Sequence, residues 1–189
     1  MRKKRVSVIQ KQYRYDKETN SYLIEVSLDD YDDVYNQWDP APFRKRDIEE
    51  EFNEFITASA EDIPSKYGLI VSLYLPINKK DENKEQALIS AYRNFYAYET
   101  EKEKRNWTNL KKKTSYYFIL SMLFLLIGYF FMLDIENIII SVAREGIFIG
   151  GWVFLWEVIT NIFIVRREMK QSSLLFQRLL QAEIRFIYR

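Results

Sequence analysis

Glu157 has the setting that most strongly suggests chemistry, because it lies inside the apolar stretch Gly146–Val165. Ionisable groups inside membrane segments are costly and usually serve a helix contact or an ion path. At helical spacing Glu157 shares one stripe with Gly146, Gly150 and Asn161. Small residues let helix backbones approach, and Glu and Asn hydrogen-bond across the contact, so this stripe predicts a helix-packing surface.

The partner of Glu157 is expected in the earlier apolar stretch of the chain. If the two stretches pair antiparallel, Glu157 lies level with Phe124 and within a helical turn of Ser121 and Gly128. We expect a protonated Glu157 that hydrogen-bonds to Ser121 or to a neighbouring subunit. A second hypothesis places Glu157 beside an ion or proton path, which requires an oligomer because two helices cannot enclose a pore.

Two tryptophans, Trp152 and Trp156, lie inside the same apolar stretch and on one helix face. Tryptophan usually lies at the membrane–water interface, and its indole N–H needs a partner when it is buried. We therefore expect both rings to make aromatic contacts inside the membrane, with helices rather than with lipid.

A proline-rich motif, WDPAPF, begins at Trp38 and runs towards a predicted helix. We expect Trp38 to anchor this extended segment on the domain and Asp47 to cap the helix that follows. Arg46 has two interpretations: it recognises an anionic partner, or it pairs with Glu50 one turn later. Trp38, Asp39, Arg46 and Asp47 are therefore the candidate partner-binding residues.

An acidic run, Asp29–Asp33, followed by Asp39, invites a calcium or magnesium interpretation because hard cations prefer carboxylate oxygens. The run lacks EF-hand spacing and its glycine, so we expect a solvated acidic loop, no metal and no cofactor.

Composition excludes several classes of site. The chain has 189 residues with no Cys and no His, which removes disulfides, thiol chemistry, histidine bases and ordinary zinc or haem sites. A net charge of +1 gives no bulk case for nucleic-acid binding. Without a Ser/Lys pair, a glycine-rich phosphate loop or a paired-carboxylate motif, we expect no enzyme.

Two apolar stretches, Tyr116–Leu133 and Gly146–Val165, predict an antiparallel transmembrane hairpin. The loop expected between them, Asp134–Glu145, is acidic, whereas lysines and arginines flank the outer ends of the pair. The positive-inside bias therefore places both termini in the cytoplasm and the protein in the inner or plasma membrane. The cations expected near the inner leaflet are Lys102, Lys104, Arg105, Lys111, Lys112, Lys113, Arg166, Arg167 and Lys170.

The N-terminal part of the chain reads as an α+β cytoplasmic domain. Arg5–Tyr15 and Ser21–Leu28 predict paired strands around a polar turn, and a third strand is expected over Leu69–Leu75. A helix is expected from Asp47 until Pro64 stops it, and another begins near Glu82.

The C-terminal part adds an amphipathic helix over Arg167–Gln181 and a strand-like end over Glu183–Arg189. We expect this strand to join the N-terminal sheet, small and mixed or antiparallel. The predicted domains are therefore residues 1–113, the hairpin 114–166, and a returning cytoplasmic segment 167–189.

Three motifs in this order resemble a known pattern: Trp38–Ile48 (WDPAPFRKRDI), Glu61–Pro64 (EDIP) before a strand, and Glu145–Glu157 (EGIFIGGWVFLWE). The chain from about Asp29 onward resembles an uncharacterised family of small two-helix membrane proteins of bacteria and archaea. The resemblance implies the same layout, a cytoplasmic domain with two membrane helices, and no activity to carry over.

These observations predict a non-enzymatic, membrane-anchored scaffold or sensor whose cytoplasmic domain binds a ligand or a protein. The lipid bilayer is the expected partner, together with a second copy that meets this one through the Gly146, Gly150 and Glu157 stripe. The alternative is an oligomer that conducts ions or perturbs the membrane, with Glu157 near the path.

Overall fold

The computed structural model describes residues 11–42, 46–130 and 138–189. The chain forms two compact units, one made of Met1–Glu101 with Ser173–Arg189 and the other of Lys102–Ser172. The units divide within helices, because the helix that begins at Glu82 and the helix that ends at Gln181 each contribute to both.

A four-stranded mixed sheet forms the frame of the first unit. Its strands are β1 (Tyr15–Asp16), β2 (Ser21–Ser27), β3 (Gly68–Leu75) and β4 (Glu183–Tyr188), in the order β1-β2-β3-β4. β1 and β2 pair antiparallel, whereas β2, β3 and β4 run parallel. The C-terminal strand thus lies beside β3, where it extends the sheet, and with its helices the unit has an α+β fold.

The first predicted strand is shorter than its sequence pattern suggested. β1 contains only Tyr15 and Asp16, and residues 11–12 are helical instead of extended. Lys11 and Gln12 are good helix formers with no β-branched neighbour, which explains the local preference. Residues 13–14 of the predicted strand are described but are not part of a strand, and residues 5–10 lie outside the described residues. The turn after β1 is present, and Asn20 takes a left-handed conformation with φ of 53° there.

Besides the helical residues 11–12, the described chain has four α-helices. They are α1 (Glu50–Asp62), α2 (Glu82–Phe130), α3 (Ile138–Thr160) and α4 (Arg166–Gln181), with a π-helical segment, Asn161–Val165, between α3 and α4. Short 3₁₀ turns occur at Tyr31–Val34 and Ile77–Lys79.

The start of α1 differs from the prediction. The helix begins at Glu50, and Asp47 does not cap it, because the Asp47 carboxylate accepts the N–H of the next residue, Ile48. Asp47 lies too far before the first turn to reach its free N–H groups. The helix ends at Asp62, just before Pro64, as the sequence predicted.

The core of the first unit lies on one face of the sheet. Alternate residues of the strands point to this face, and helical residues at i, i+4 spacing from α1, α2 and α4 cover it. The most deeply buried apolar members include Ile24, Val71, Leu73, Ile56, Ala60, Leu88, Tyr96 and Leu179.

The second unit consists of the later part of α2, helix α3, the π-helical segment and the beginning of α4. The predicted loop Asp134–Glu145 is wrong in its second half, because Ile138–Glu145 are helical and belong to α3. Residues 138–140 are three isoleucines that can extend a helix once packing or a membrane supports it. Residues 131–137 lie outside the described part of the chain.

Candidate functional site

A groove in the first unit brings the proline-rich motif against α2. It encloses about 620 Å³. Its lining is polar at one wall and partly aromatic at the other, and consists of Asp39, Arg46, Asp47, Ala91, Asn94, Phe95 and Tyr98. Three of the four candidate partner-binding residues therefore share one concave surface.

Asp39 organises the first wall of the groove. Its Oδ1 accepts the N–H of Ala41 at 2.9 Å and its Oδ2 accepts the N–H of Asp47 at 2.7 Å. These two bonds hold the pKa of Asp39 below its ordinary value. Arg46 Nε donates to the backbone carbonyl of Asp39 at 2.9 Å, so Arg46 is held beside the carboxylate.

Trp38 does not anchor the segment on the domain, and that prediction is wrong. Its side chain is 92% exposed. The chain is fixed here by polar bonds instead, since the Trp38 N–H donates to the Asn36 side chain at 2.9 Å and the neighbouring Asp39 is bonded as described. The indole therefore stands in solvent next to a groove-lining residue.

Helix α2 supplies the second wall. Tyr92 and Tyr96 point into the core and are almost fully buried, so the adjacent helix face presents Asn94 and Tyr98 one turn apart. Tyr98 is 57% exposed. Asn94 and Tyr98 were not predicted from the sequence, since nothing local distinguishes the groove face of this helix from an ordinary solvated face.

The acidic run is ordered by protein groups. Asp33 Oδ2 accepts the N–H groups of Asp29 and Asp30 at 2.8 and 2.9 Å. Asp30 pairs with Lys79 at 2.6 Å, and that hydrogen bond lowers the pKa of Asp30. Within residues 11–42, 46–130 and 138–189, no group of three or more acidic residues is arranged to hold a metal ion.

In the second unit Glu157 pairs with Lys113, at a distance of 3.3 Å between Oε1 and Nζ. The expected level with Phe124 and the expected bond to Ser121 are therefore both wrong. Ser121, fully buried, donates instead to the backbone carbonyl of Gly151 at 2.9 Å. Since Lys113 comes just before the uncharged stretch that begins at Tyr116, Glu157 is level with the beginning of that stretch.

The close helix contact explains this register. A Cβ at Gly151 would lie 2.8 Å from Leu125 Cγ, so α2 and α3 can approach this closely only at a glycine. Gly150 faces the ring of Phe124, and Gly128 faces Phe148.

Gly146, in contrast, is not part of this contact. A Cβ added there would meet no described atom within 4 Å. The residues of the stripe predicted from the sequence therefore do not share one contact. Gly150 faces α2 of the same chain, whereas Gly146 has no neighbour among the described residues. The ion-path hypothesis also loses the observation on which it rested, because Glu157 lies beside a lysine at one end of the uncharged stretch.

Asn161 lies in the π-helical segment and is 3% exposed. Its Nδ2 has no hydrogen-bond partner among the residues that the structure describes. Single π-helical turns often occur at functional positions.

Trp152 and Trp156 are 54% and 69% exposed, so the expected helix contacts are not made within the described hairpin. Trp107, which was not predicted as a contact residue, does lie against neighbouring side chains. Its ring lies 5.5 Å from the Arg166 guanidinium and 5.9 Å from Lys111 Nζ. The available signal was an aromatic residue shortly before an uncharged stretch, a pattern typical of membrane interfaces.

Comparison with known proteins adds no further identification. No protein-family model matches the chain, and no curated protein or solved structure matches it. The resemblance stated from the three motifs therefore stays a prediction.

Proposed function

We propose that this chain is an integral membrane protein in which α2 and α3 cross the bilayer as an antiparallel hairpin. The observation that carries the proposal is the exposure of its most apolar segments. Only 11% of the most apolar window of α2, and 17% of the most apolar window of the continuous helical span Ile138–Gln181, is buried. A soluble core helix buries its apolar side chains, whereas these side chains have no protein to cover them within the described chain.

We also propose that both termini lie in the cytoplasm. The hairpin is joined to the first unit at one of its ends, before the first span and after the second. Lysines and arginines, including Lys112 and Arg167, lie at this end. Acidic Asp134 and Glu136 lie in the connection at the other end. The positive-inside rule favours this orientation.

The first unit is proposed to be a non-enzymatic binding module, as a membrane scaffold or sensor would require. The groove beside Asp39 and Arg46 offers charged, amide and aromatic groups together, and the exposed Trp38 stands next to it. Aromatic and arginine side chains dominate the binding energy of protein interfaces. A cytoplasmic protein is therefore the partner that we propose for the groove.

The absence of cysteine from the sequence makes the topology directly testable. Single cysteines are introduced at Asn137, in the connection between the helices, and at Arg189. A membrane-impermeant maleimide applied to intact cells should label position 137 only, and both positions after lysis. Labelling of position 189 in intact cells would contradict the orientation. Release of the chain by alkaline carbonate would contradict the membrane hairpin itself.

The groove is tested by photo-crosslinking in cells. A benzoylphenylalanine at position 38, next to the groove-lining Asp39, should give a discrete adduct, and the same residue at Phe55, which is 51% exposed on α1 and has no groove-lining neighbour in sequence, should not. The Arg46→Gln substitution should weaken the adduct at position 38. Equal adducts from both positions would refute a specific surface, and an adduct of twice the chain mass would identify a second copy as the occupant.

A further inference from the structure

The hairpin has a band where its two helices differ sharply in polarity. One boundary of the band is the Lys113–Glu157 ion pair, and the other is the contact of Trp107 with Arg166. Between them α2 presents exposed Lys111 and Lys112. At the same level the π-helical segment presents Ile162, Phe163 and Ile164, which are 43%, 71% and 55% exposed.

Neither bulk water nor the hydrocarbon core suits this band. In bulk water the apolar side chains of Ile162–Ile164 would be exposed to solvent. In hydrocarbon the charged lysines would be surrounded by acyl chains. From Trp107 to Lys113 the helix rises about 9 Å, and the headgroup layer on each side of a bilayer is about 5–8 Å thick. In that layer the apolar side chains reach the acyl chains, while long lysine stems carry their ammonium groups to the polar surface.

The charge of the band identifies the lipid. Residues 107–113 carry three lysines, and residues 157–166 carry Arg166 and Glu157. The only carboxylate in these two segments is paired with Lys113. Lys111 and Arg166 lie over the ring of Trp107, and tryptophan with neighbouring cations is typical of the membrane–water interface. We infer that this band lies in the headgroup layer of one leaflet and selects anionic phospholipids.

This inference rests on the proposed membrane hairpin and adds a lipid class to it. The position of the charges supplies a matched control within the same helix. Lys102 and Lys104 precede Lys111 by two helical turns, about 11–14 Å farther from the uncharged stretch. This separation exceeds the Debye length of about 8 Å at physiological salt, so they should contribute little.

The experiment uses the full chain in phosphatidylcholine bilayers with spin-labelled phosphatidylglycerol or spin-labelled phosphatidylcholine as probe. Each cation near the surface contributes up to about fivefold in affinity for anionic lipid. The chain should therefore prefer the anionic label, and Lys111→Gln with Lys112→Gln should reduce that preference by up to about 25-fold. Lys102→Gln with Lys104→Gln, which removes the same charge, should change it by less than about twofold.

The outcomes separate this inference from the proposed function. Equal association of both labelled lipids with the unsubstituted chain would overturn the inference, and so would an equal loss in the two double variants. The membrane hairpin would survive either result if the chain still resisted carbonate extraction. Conversely, extraction of the chain by carbonate would contradict both the membrane hairpin and the anionic-lipid inference that rests on it. High salt should weaken the preference in the unsubstituted chain, which gives a readout independent of any substitution.

Discussion

Arg178 connects helix α4 to the end of helix α1 and to the segment that follows it, through four backbone carbonyls. Its Nη1 donates to Ala60 and Ile63 at 3.2 and 3.1 Å, and its Nη2 donates to Pro64 and Tyr67 at 3.4 and 3.3 Å. The last carbonyls of a helix have no partner within the helix, so a distant side chain satisfies groups that the chain itself leaves open. Burial lowers the pKa of Arg178, but a guanidinium remains charged in proteins.

The expected cost of removing Arg178 follows from these distances. The bonds at 3.1 and 3.2 Å fall within the ordinary range for N–H···O bonds, and the other two are longer. Counting only the two shorter bonds, at about 1.5 kcal/mol each for a charged donor, gives a loss of about 3 kcal/mol for Arg178→Met. Arg178→Lys should recover part of this loss, because one ammonium cannot bridge two pairs of carbonyls.

Hydrogen exchange of the full chain in detergent measures this loss where it is expected. A loss of about 3 kcal/mol should speed the exchange of α1 amides by about a hundredfold, provided that α1 exchanges by opening of this contact. Gln177, the exposed neighbour on the same helix, provides the control, and Gln177→Met should leave the exchange of α1 unchanged. Equal exchange of α1 in the Arg178→Met and Gln177→Met variants would refute the reasoning.

Three further predictions concern the groove and the hairpin. Two backbone N–H groups lower the pKa of Asp39, so its contribution to stability is complete above the unfolded value of about 3.9 and is lost as the pH falls through the lower folded value. Acidification below about pH 4 should therefore reduce the near-ultraviolet circular dichroism of the tyrosines less in the Asp39→Asn variant than in the unsubstituted chain. Gly151→Leu should separate the helices by clashing with Leu125, whereas Gly146→Leu, where the added side chain meets no neighbour, should not. Crosslinking between cysteines introduced on the two helices should therefore fall in the first variant and persist in the second. Ser121→Ala should cost about 0.6 kcal/mol of hairpin stability, measured by unfolding in mixed micelles, and no change in its midpoint would contradict the role of its hydrogen bond.

The sequence predicted the elements whose pattern is local. The alternation in β2 and the apolar run of β3 both correspond to strands, and Pro64 correctly predicted where α1 stops. Helix α2 continues without a break from Glu82 into the uncharged stretch, as the absence of glycine and proline between Glu82 and Ile127 allowed. In each case one segment carries the information, because hydrophobic periodicity and breaker residues act over a few positions.

The errors occurred where the outcome depends on contacts between distant segments. Aligning the two apolar stretches by their length placed Glu157 opposite Phe124, but the structure sets the register by the fit of Gly151 against Leu125. Likewise the size and apolar surface of Trp38 suggested burial, but the polar bonds of Asp39 fix the loop without it. No local pattern distinguishes these alternatives.

The topology gives a physical reason for one chain to combine these two units. β3 and β4 are adjacent parallel strands, yet all of α2, α3 and α4 lie between them in sequence. A parallel neighbour requires the chain to return to the starting end of the sheet, normally through a single crossover helix. Here the returning connection contains the whole hairpin, so β4 can pair with β3 only if the second long helix runs back antiparallel to the first. The hydrogen bond from Ser121 to the Gly151 carbonyl, at 2.9 Å, is one of the contacts that hold the two helices in this antiparallel pair.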